Sequence, residues 1–319
     1  PPLHLTLDDI DHPAYMLNQN FELIWINQPA RQTFFGGNME LPQTSDQRQL
    51  FRLLPVGRHE WGSLLNFHIG IAKARLGPDC FNNLCRGLDP VTYARLQAAY
   101  LEAAPVPVQP VIQSTVLLPE ADGSNRERFH NAYASFFREG IFIVLVPEAE
   151  PADEMLSLLA RRDEVIRGLL RKRLPVLTDL AVLVADLQGS VKICSELPPE
   201  EYFELINEIW RVLAPTFRKF RGTYGKHVGD GMVYYFFPQP DSHYLANALD
   251  CAMEIRQEIQ RLSKAWQIRK QWFNELYLNM GITEGQEWLG TYQSPTSVEF
   301  VVLGDTINQA ARVSDFARH

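Results

Sequence analysis

The sequence predicts an α+β protein of two domains joined by a helical linker, and three observations support this. Its 319 residues exceed the size at which one hydrophobic core usually stops growing, so each half can bury its own. The apolar patterning changes along the chain. A hairpin, helices and three strands fill the first half, and a β-α-ββ-α-β-β-α order fills the second, which packs helices on a mixed or antiparallel sheet. Between them, Pro147 to Asp153 is acidic and Pro-containing, as linkers are. These patterns divide the chain into a first domain at 1–147, a linker and signalling helix at 148–176, and a second domain at 177–319.

Bulk properties exclude several function classes. A net charge of -8 argues against a nucleic-acid partner, because phosphate-backbone binding needs clustered Lys and Arg to release counterions. No apolar run reaches the ~18 residues that span a bilayer, so no membrane contact is expected of this fragment. Cys80, Cys85, Cys194 and Cys251 show no CxxC spacing, and no signal-peptide profile opens the chain. Free thiols in a reducing, cytoplasmic setting are expected. The chain opens on Pro1-Pro2, which suggests a piece of a longer protein that could carry an anchor upstream.

In the first half, the PAYMLNQNFELIWIN segment from Pro13 to Asn27 places two apolar stretches around an Asn-rich turn, a β-hairpin pattern. Residues 47–104 follow helical spacing. Val111–Leu118, Arg128–Phe136 and Ile141–Val146 read as strands, with the Ala121-Asp122-Gly123-Ser124 turn between the first two. This order and the opening segment resemble a PAS sensor domain, which implies a regulatory role and a possible small-molecule ligand. Phe81-Asn82-Asn83-Leu84-Cys85-Arg86 lacks an asparagine directly before its cysteine, so Cys85 is expected to be a buried thiol and not a flavin attachment point. His59 and His68 are expected to pack or face solvent, not to ligate haem. An apolar small molecule, or no ligand, stays open.

Met155, Leu158, Leu159, Arg162, Val165, Ile166, Leu169 and Leu170 form a stripe of near-heptad spacing. The stripe predicts a short parallel coiled coil joining two protomers; the plain alternative is a single amphipathic helix packed on its own domain.

In the second half, Leu180–Ala185 is a continuous apolar run, a strand buried on both faces, and it ends in Asp186. Pro198 and Pro199 start a helix whose apolar face runs from Tyr202 to Phe220. Thr223–Phe236 is a hairpin with Gly229-Asp230-Gly231 at its tip. Ser242–Leu262 is a second amphipathic helix, Leu276–Ile282 and Val298–Leu303 are strands, and Asp305–Phe316 is a helix.

Three motifs in this half, in order and spacing, resemble those of class III nucleotide cyclases: Val184-Ala185-Asp186-Leu187-Gln188-Gly189-Ser190, Lys226-His227-Val228-Gly229-Asp230-Gly231, and Leu303-Gly304-Asp305-Thr306-Ile307-Asn308-Gln309-Ala310-Ala311-Arg312. The resemblance implies a cyclase palm of ferredoxin-like type, incomplete at its C-terminus. It also implies conversion of ATP to cyclic AMP and pyrophosphate.

A ribose hydroxyl must attack the α-phosphate while pyrophosphate leaves, and two Mg²⁺ or Mn²⁺ ions ~3.5 to 4 Å apart stabilise both oxygens in such reactions. By the resemblance Asp186 and Asp230 hold the ions, with the Leu187 carbonyl as a further ligand, and hard oxygen donors suit these metals. Lys226 matches the base-reading lysine, suited to the adenine N1 acceptor and ill suited to guanine's N1–H. Val301 falls on the second base-reading position, where a hydrogen-bonding side chain is usual. Asn308 matches the ribose-orienting residue and Arg312 the arginine that stabilises the phosphate in the transition state. Such sites form between two catalytic domains placed head to tail, so a homodimer is implied.

Two departures accompany the match. Ser190 replaces a usual phenylalanine, and the chain ends at His319 where the family continues with strands carrying a triphosphate-gripping lysine. A fragment ending there is expected to bind nucleotide weakly or be inactive alone. The rival readings are a guanylyl or unselective cyclase and a catalytically silent cyclase-like module used for dimerisation.

Overall fold

The computed structural model describes residues 7–35, 41–54, 61–107, 109–119, 126–137, 139–171, 173–272, 274–293 and 298–317. The predicted turn at 121–124 and His59 lie outside them. The chain divides into two compact units, residues 1–177 with 290–299, and residues 178–289 with 300–319.

In the first unit the Asn-rich turn closes a hairpin between β1 (Ala14–Leu17) and β2 (Leu23–Ile26). The Asn18 Oδ1 atom accepts from the amides of Asn20 and Glu22 at 2.9 and 3.0 Å, an Asx-type closure. The Asn27 Oδ1 atom then caps α1 (Gln28–Phe35) by accepting from Ala30 at 3.0 Å. Next come α2 (Leu50–Leu53), α3 (Gly62–Arg75), α4 (Pro78–Leu84) and α5 (Pro90–Glu102). The last starts with Asp89 accepting from Val91 and Thr92 and with Pro90 at its first position, a strong N-terminal signal. Strands β3 (Val111–Pro119), β4 (Glu127–Phe136) and β5 (Ile141–Pro147) complete an antiparallel sheet of order β2-β1-β5-β4-β3.

Strand β5 is buried along its whole length because both its faces are covered. Ile141, Ile143 and Leu145 point into a core shared with Leu64, Phe81 and Leu96 of the helices. Phe142, Val144 and Val146 point the other way, and there the linker stripe meets them. Met155, Leu158, Leu159, Val165 and Leu169 are all under 5% exposed, packed with Trp25, Phe142 and Val144.

This corrects the coiled-coil expectation. The segment forms two helices, α6 (Asp153–Ala160) and α7 (Arg162–Arg171), broken at Arg161 where ψ is 59°. Two short helices lie over the sheet where one long helix would leave its face. Sheet and linker have apolar surface to cover, and covering each other removes both from water within one chain.

In the second unit β6 (Val176–Leu187), which enters it at Thr178, runs through the sheet centre, followed by α8 (Ser190–Glu196) and α9 (Pro199–Lys219). Then come β7 (Thr223–Val228), β8 (Gly231–Phe236), α10 (Tyr244–Lys270), β9 (Leu278–Gln293), β10 (Val298–Leu303) and α11 (Thr306–Phe316). The sheet order is β10-β9-β6-β8-β7. Ala181, Leu183, Ala185 and Leu187 alternate onto the face covered by α9 and α10, where Ile209, Phe217, Ile255 and Trp266 meet them.

Helix α10 outruns its predicted end at Leu262 because Trp266 is fully buried, its indole N–H donating to Glu208 on α9 at 2.6 Å. It stops at Gln271, a left-handed C-terminal residue. Strand β9 also outruns its predicted end at Ile282. Thr283–Leu289 is Gly- and polar-rich and has no strand-like alternation, yet it continues the sheet. Among the described residues no helix is long and apolar enough to cross a membrane.

Candidate active site

The register of the sheet brings the two motif acids together. β6 pairs antiparallel with β8, Ala185 opposite Met232, so the end of β6 lies beside the hairpin tip that precedes β8. The tip is a two-residue loop closed by the Val228–Gly231 pair, and Gly229 supplies the positive φ (62°) that such a loop needs at its first position. Asp186 and Asp230 are both half-buried, and the Asp230 carboxylate bears on Asp186.

Burial, then the Asp230 charge, then the hydrogen bond shared with Asp230, raise the Asp186 carboxyl to about 6. The Oδ2 atom of Asp230 is buried with no hydrogen-bond partner among the described residues. Two adjacent carboxylates whose charges oppose one another, one with an orphaned oxygen, form a donor set that a hard divalent cation satisfies. No cluster of three or more His, Cys, Asp or Glu side chains with metal-binding spacing occurs among the described residues. A cation held here would take its side-chain oxygens from the two acids, and Mg²⁺ characteristically completes its shell with waters and substrate phosphates.

A carboxyl raised in the folded state favours the metal-free fold at pH below its ordinary value near ~4, and that contribution is lost as pH rises through about 6. A cation needs the ionised form, so its stabilisation runs the other way. Saturating Mn²⁺ is expected to raise the melting temperature clearly at about pH 7.5 and little at about pH 5. A thermal-shift titration checks this, and equal shifts at both pH values would contradict it.

The remaining motif residues are placed separately. Lys226 is exposed on β7 and Val301 half-buried on β10, strands at opposite ends of the sheet order. Next to Val301, the Phe300 ring comes within 6.2 Å of Tyr235 and 5.9 Å of Phe237. Asn308 and Arg312 are exposed on α11. The Nδ2 atom of Asn308 donates to Asp305 at 3.4 Å, and Gln309 donates to the same carboxylate at 3.0 Å, which lowers the Asp305 carboxyl.

Two residues outside the motifs join this region. Tyr202, on the first turn of α9, has its phenol raised by burial and then by the charges of Asp230, Cys194 and Asp186. In the sequence it reads only as one apolar position of a helical stripe. Glu287 on β9 is 5% exposed and accepts from the Thr306 amide at 2.6 Å. Its one sequence signal is an isolated acid between Gly285 and Gly290.

Residues 175–319 match the family of adenylate and guanylate cyclase catalytic domains. The C-terminal half is a class III nucleotide cyclase domain. Among curated relatives of this cyclase domain, an uncharacterized protein of Mycobacterium tuberculosis is 24% identical over 144 residues, covering 44% of this chain and 24% of that protein. An adenylate cyclase of Anabaena cylindrica is 21% identical over 141 residues, covering 44% of this chain and 27% of its own. The chain thus spans about a quarter of the length of these relatives. Among solved structures, the cyclase domain is similar to the adenylyl cyclase CyaB of P. aeruginosa, at 23% identity and a TM-score of 0.42. That likeness covers 46% of this chain and 75% of the other. It is also similar to the guanylyl cyclase Cya2, at 21% identity and the same TM-score, over 44% of this chain and 72% of that one.

Proposed function

We propose that the protein converts ATP to 3′,5′-cyclic AMP and pyrophosphate in a head-to-tail homodimer. The observation that carries this reading is the Asp186–Asp230 pair, with one carboxyl raised and one oxygen unpartnered. Bound Mg²⁺ or Mn²⁺ would acidify the ribose hydroxyl and neutralise phosphate charge. Asp186 and Asp230, with the Leu187 carbonyl, would hold those ions. The partner's copy of α11 would bring Asn308 to the ribose and the Arg312 guanidinium to the phosphate oxygens, which its planar fork suits. Exposure of both side chains in the single chain is what such a contribution requires. Lys226, exposed on β7, would donate to adenine N1.

The first unit would act as a PAS-type sensor, a reading supported by its hairpin, helices and three-strand order. Haem on His68 does not fit: its Nδ1 atom bonds the Leu64 carbonyl at 2.7 Å, its Nε2 bonds the Tyr15 hydroxyl at 2.8 Å, and burial lowers the imidazole to about 4. Flavin on Cys85 does not fit either, because the thiol is fully buried and burial pushes it up to about 11, far from a reactive thiolate.

A version extended past His319, assayed with Mn²⁺ and either nucleotide, is expected to form cyclic AMP about tenfold or more faster than cyclic GMP. Comparable or reversed rates would support the unselective or guanylyl reading. No cyclic product from either nucleotide would leave the silent module.

A further inference from the structure

We infer that Glu287 is a positioning residue for catalysis, its buried carboxylate fixing the first turn of α11 and with it the aim of Asn308 and Arg312. The inference rests on the cyclase reading for what those two residues do.

The first amides of a helix lack intrahelical partners, and a side chain just before the helix usually supplies an acceptor. Here Asp305 occupies that position without capping; its carboxylate takes hydrogen bonds from Asn308 and Gln309 instead. The acceptor comes from another strand: the Glu287 Oε1 atom receives the Thr306 N–H at 2.6 Å in a buried setting. The approach is close enough that a Cβ on Gly304 would lie 1.1 Å from Glu287 Oε2, so a side chain there would displace the Glu287 carboxylate. An acid at the positive end of the helix dipole is favourable.

The same face of β9 holds the rest of α11. Thr283 donates through its hydroxyl to the Thr306 carbonyl at 2.8 Å, and Cβ atoms on Gly285 and Gly281 would run into Thr306 and the Ala310 carbonyl. Positions 281, 283, 285 and 287 alternate onto one face, as a strand's period of two requires. The glycines set how near the helix comes, and Glu287 is the acid that sets where its first turn lies. Asn308 and Arg312 follow Thr306 by two and six residues, so a displaced first turn moves both.

Glu287→Ala and Glu287→Gln separate this role from bulk stability. In the alanine variant kcat is expected to fall about 10- to 100-fold with KM for nucleotide held within about threefold, since Arg312 acts on the transition state. Glu287→Gln keeps an acceptor oxygen in the same volume and is expected to retain kcat within about threefold. Hydrogen exchange of the Thr306 amide should accelerate in the alanine variant and stay slow in the glutamine variant. If the alanine variant does not fold, Glu287→Asp, which withdraws the carboxylate by one methylene, takes its place with the same expected loss of kcat. Wild-type kcat in the alanine or aspartate variant, unchanged Thr306 exchange, or an equal loss in the glutamine variant would overturn the inference. A wild-type protein extended past His319 that forms no cyclic product would instead fail the cyclase reading, leaving Thr306 exchange to decide whether Glu287 holds the helix.

Discussion

Asp230→Ala is expected to reduce cyclic-nucleotide formation by about a thousandfold or more while the domain stays folded. Asp230 sits at the tip of a two-residue hairpin loop, where φ at Gly229, not the aspartate side chain, sets the turn, so the truncation has little backbone consequence. Its removal also takes away a charge that opposes ionisation of Asp186. The metal-free variant should therefore be no less stable than the wild type at neutral pH, and its melting temperature should no longer respond to Mn²⁺. A steady-state assay and a thermal-shift titration together check this. Retained activity, or a retained Mn²⁺ response, would remove Asp230 from the cation site.

Gly281→Ala is expected to cost about 3 kcal/mol of stability, the upper range for forcing atoms into a well-packed interior. A Cβ at this position would stand 2.0 Å from the Ala310 carbonyl oxygen and 2.5 Å from the Ser314 amide, both backbone atoms of α11 with no rotamer to yield. The helix must lift from β9 as a body, carrying Asn308 and Arg312 with it. Stability and kcat should therefore fall together, which differential scanning calorimetry and an activity assay would show. Gly290, with open space around the same built atom, is the control position where an alanine should be nearly neutral. A Gly281→Ala protein with wild-type melting temperature would mean that helix and strand are less closely packed than described.

How much of the fold is legible in the sequence depends on how local each signal is. The hairpin tip at Gly229-Asp230 and the apolar run ending in Asp186 were legible because a turn and a doubly buried strand each leave their mark within a few residues. The end of α10 was not, since Lys264 to Lys270 is polar apart from the alanine, tryptophan and isoleucine. Only the Glu208 acceptor on α9 shows why Trp266 is drawn in. The far part of β9 escaped for a similar reason. Gly285, which weakens the strand pattern in sequence, is there to admit Thr306 of the helix lying against the strand.

The linker shows the clearest divergence. Its near-heptad apolar stripe says only that one face must be covered, and a second chain or the home sheet would satisfy that equally. The fold settled it in favour of Trp25, Phe142 and Val144, which needed cover themselves.

By itself the sequence determined the α+β class, the order of the elements and the identity of the acids, because backbone propensity, turn chemistry and motif spacing are written in neighbouring residues. Tertiary structure alone decided which apolar faces meet and that Glu287 reaches Thr306. It also decided that Asp186 and Asp230 share one small volume. These are contacts between segments far apart in the chain, and the pairing of strands that creates them is fixed by which burial is mutually available, which no local pattern records.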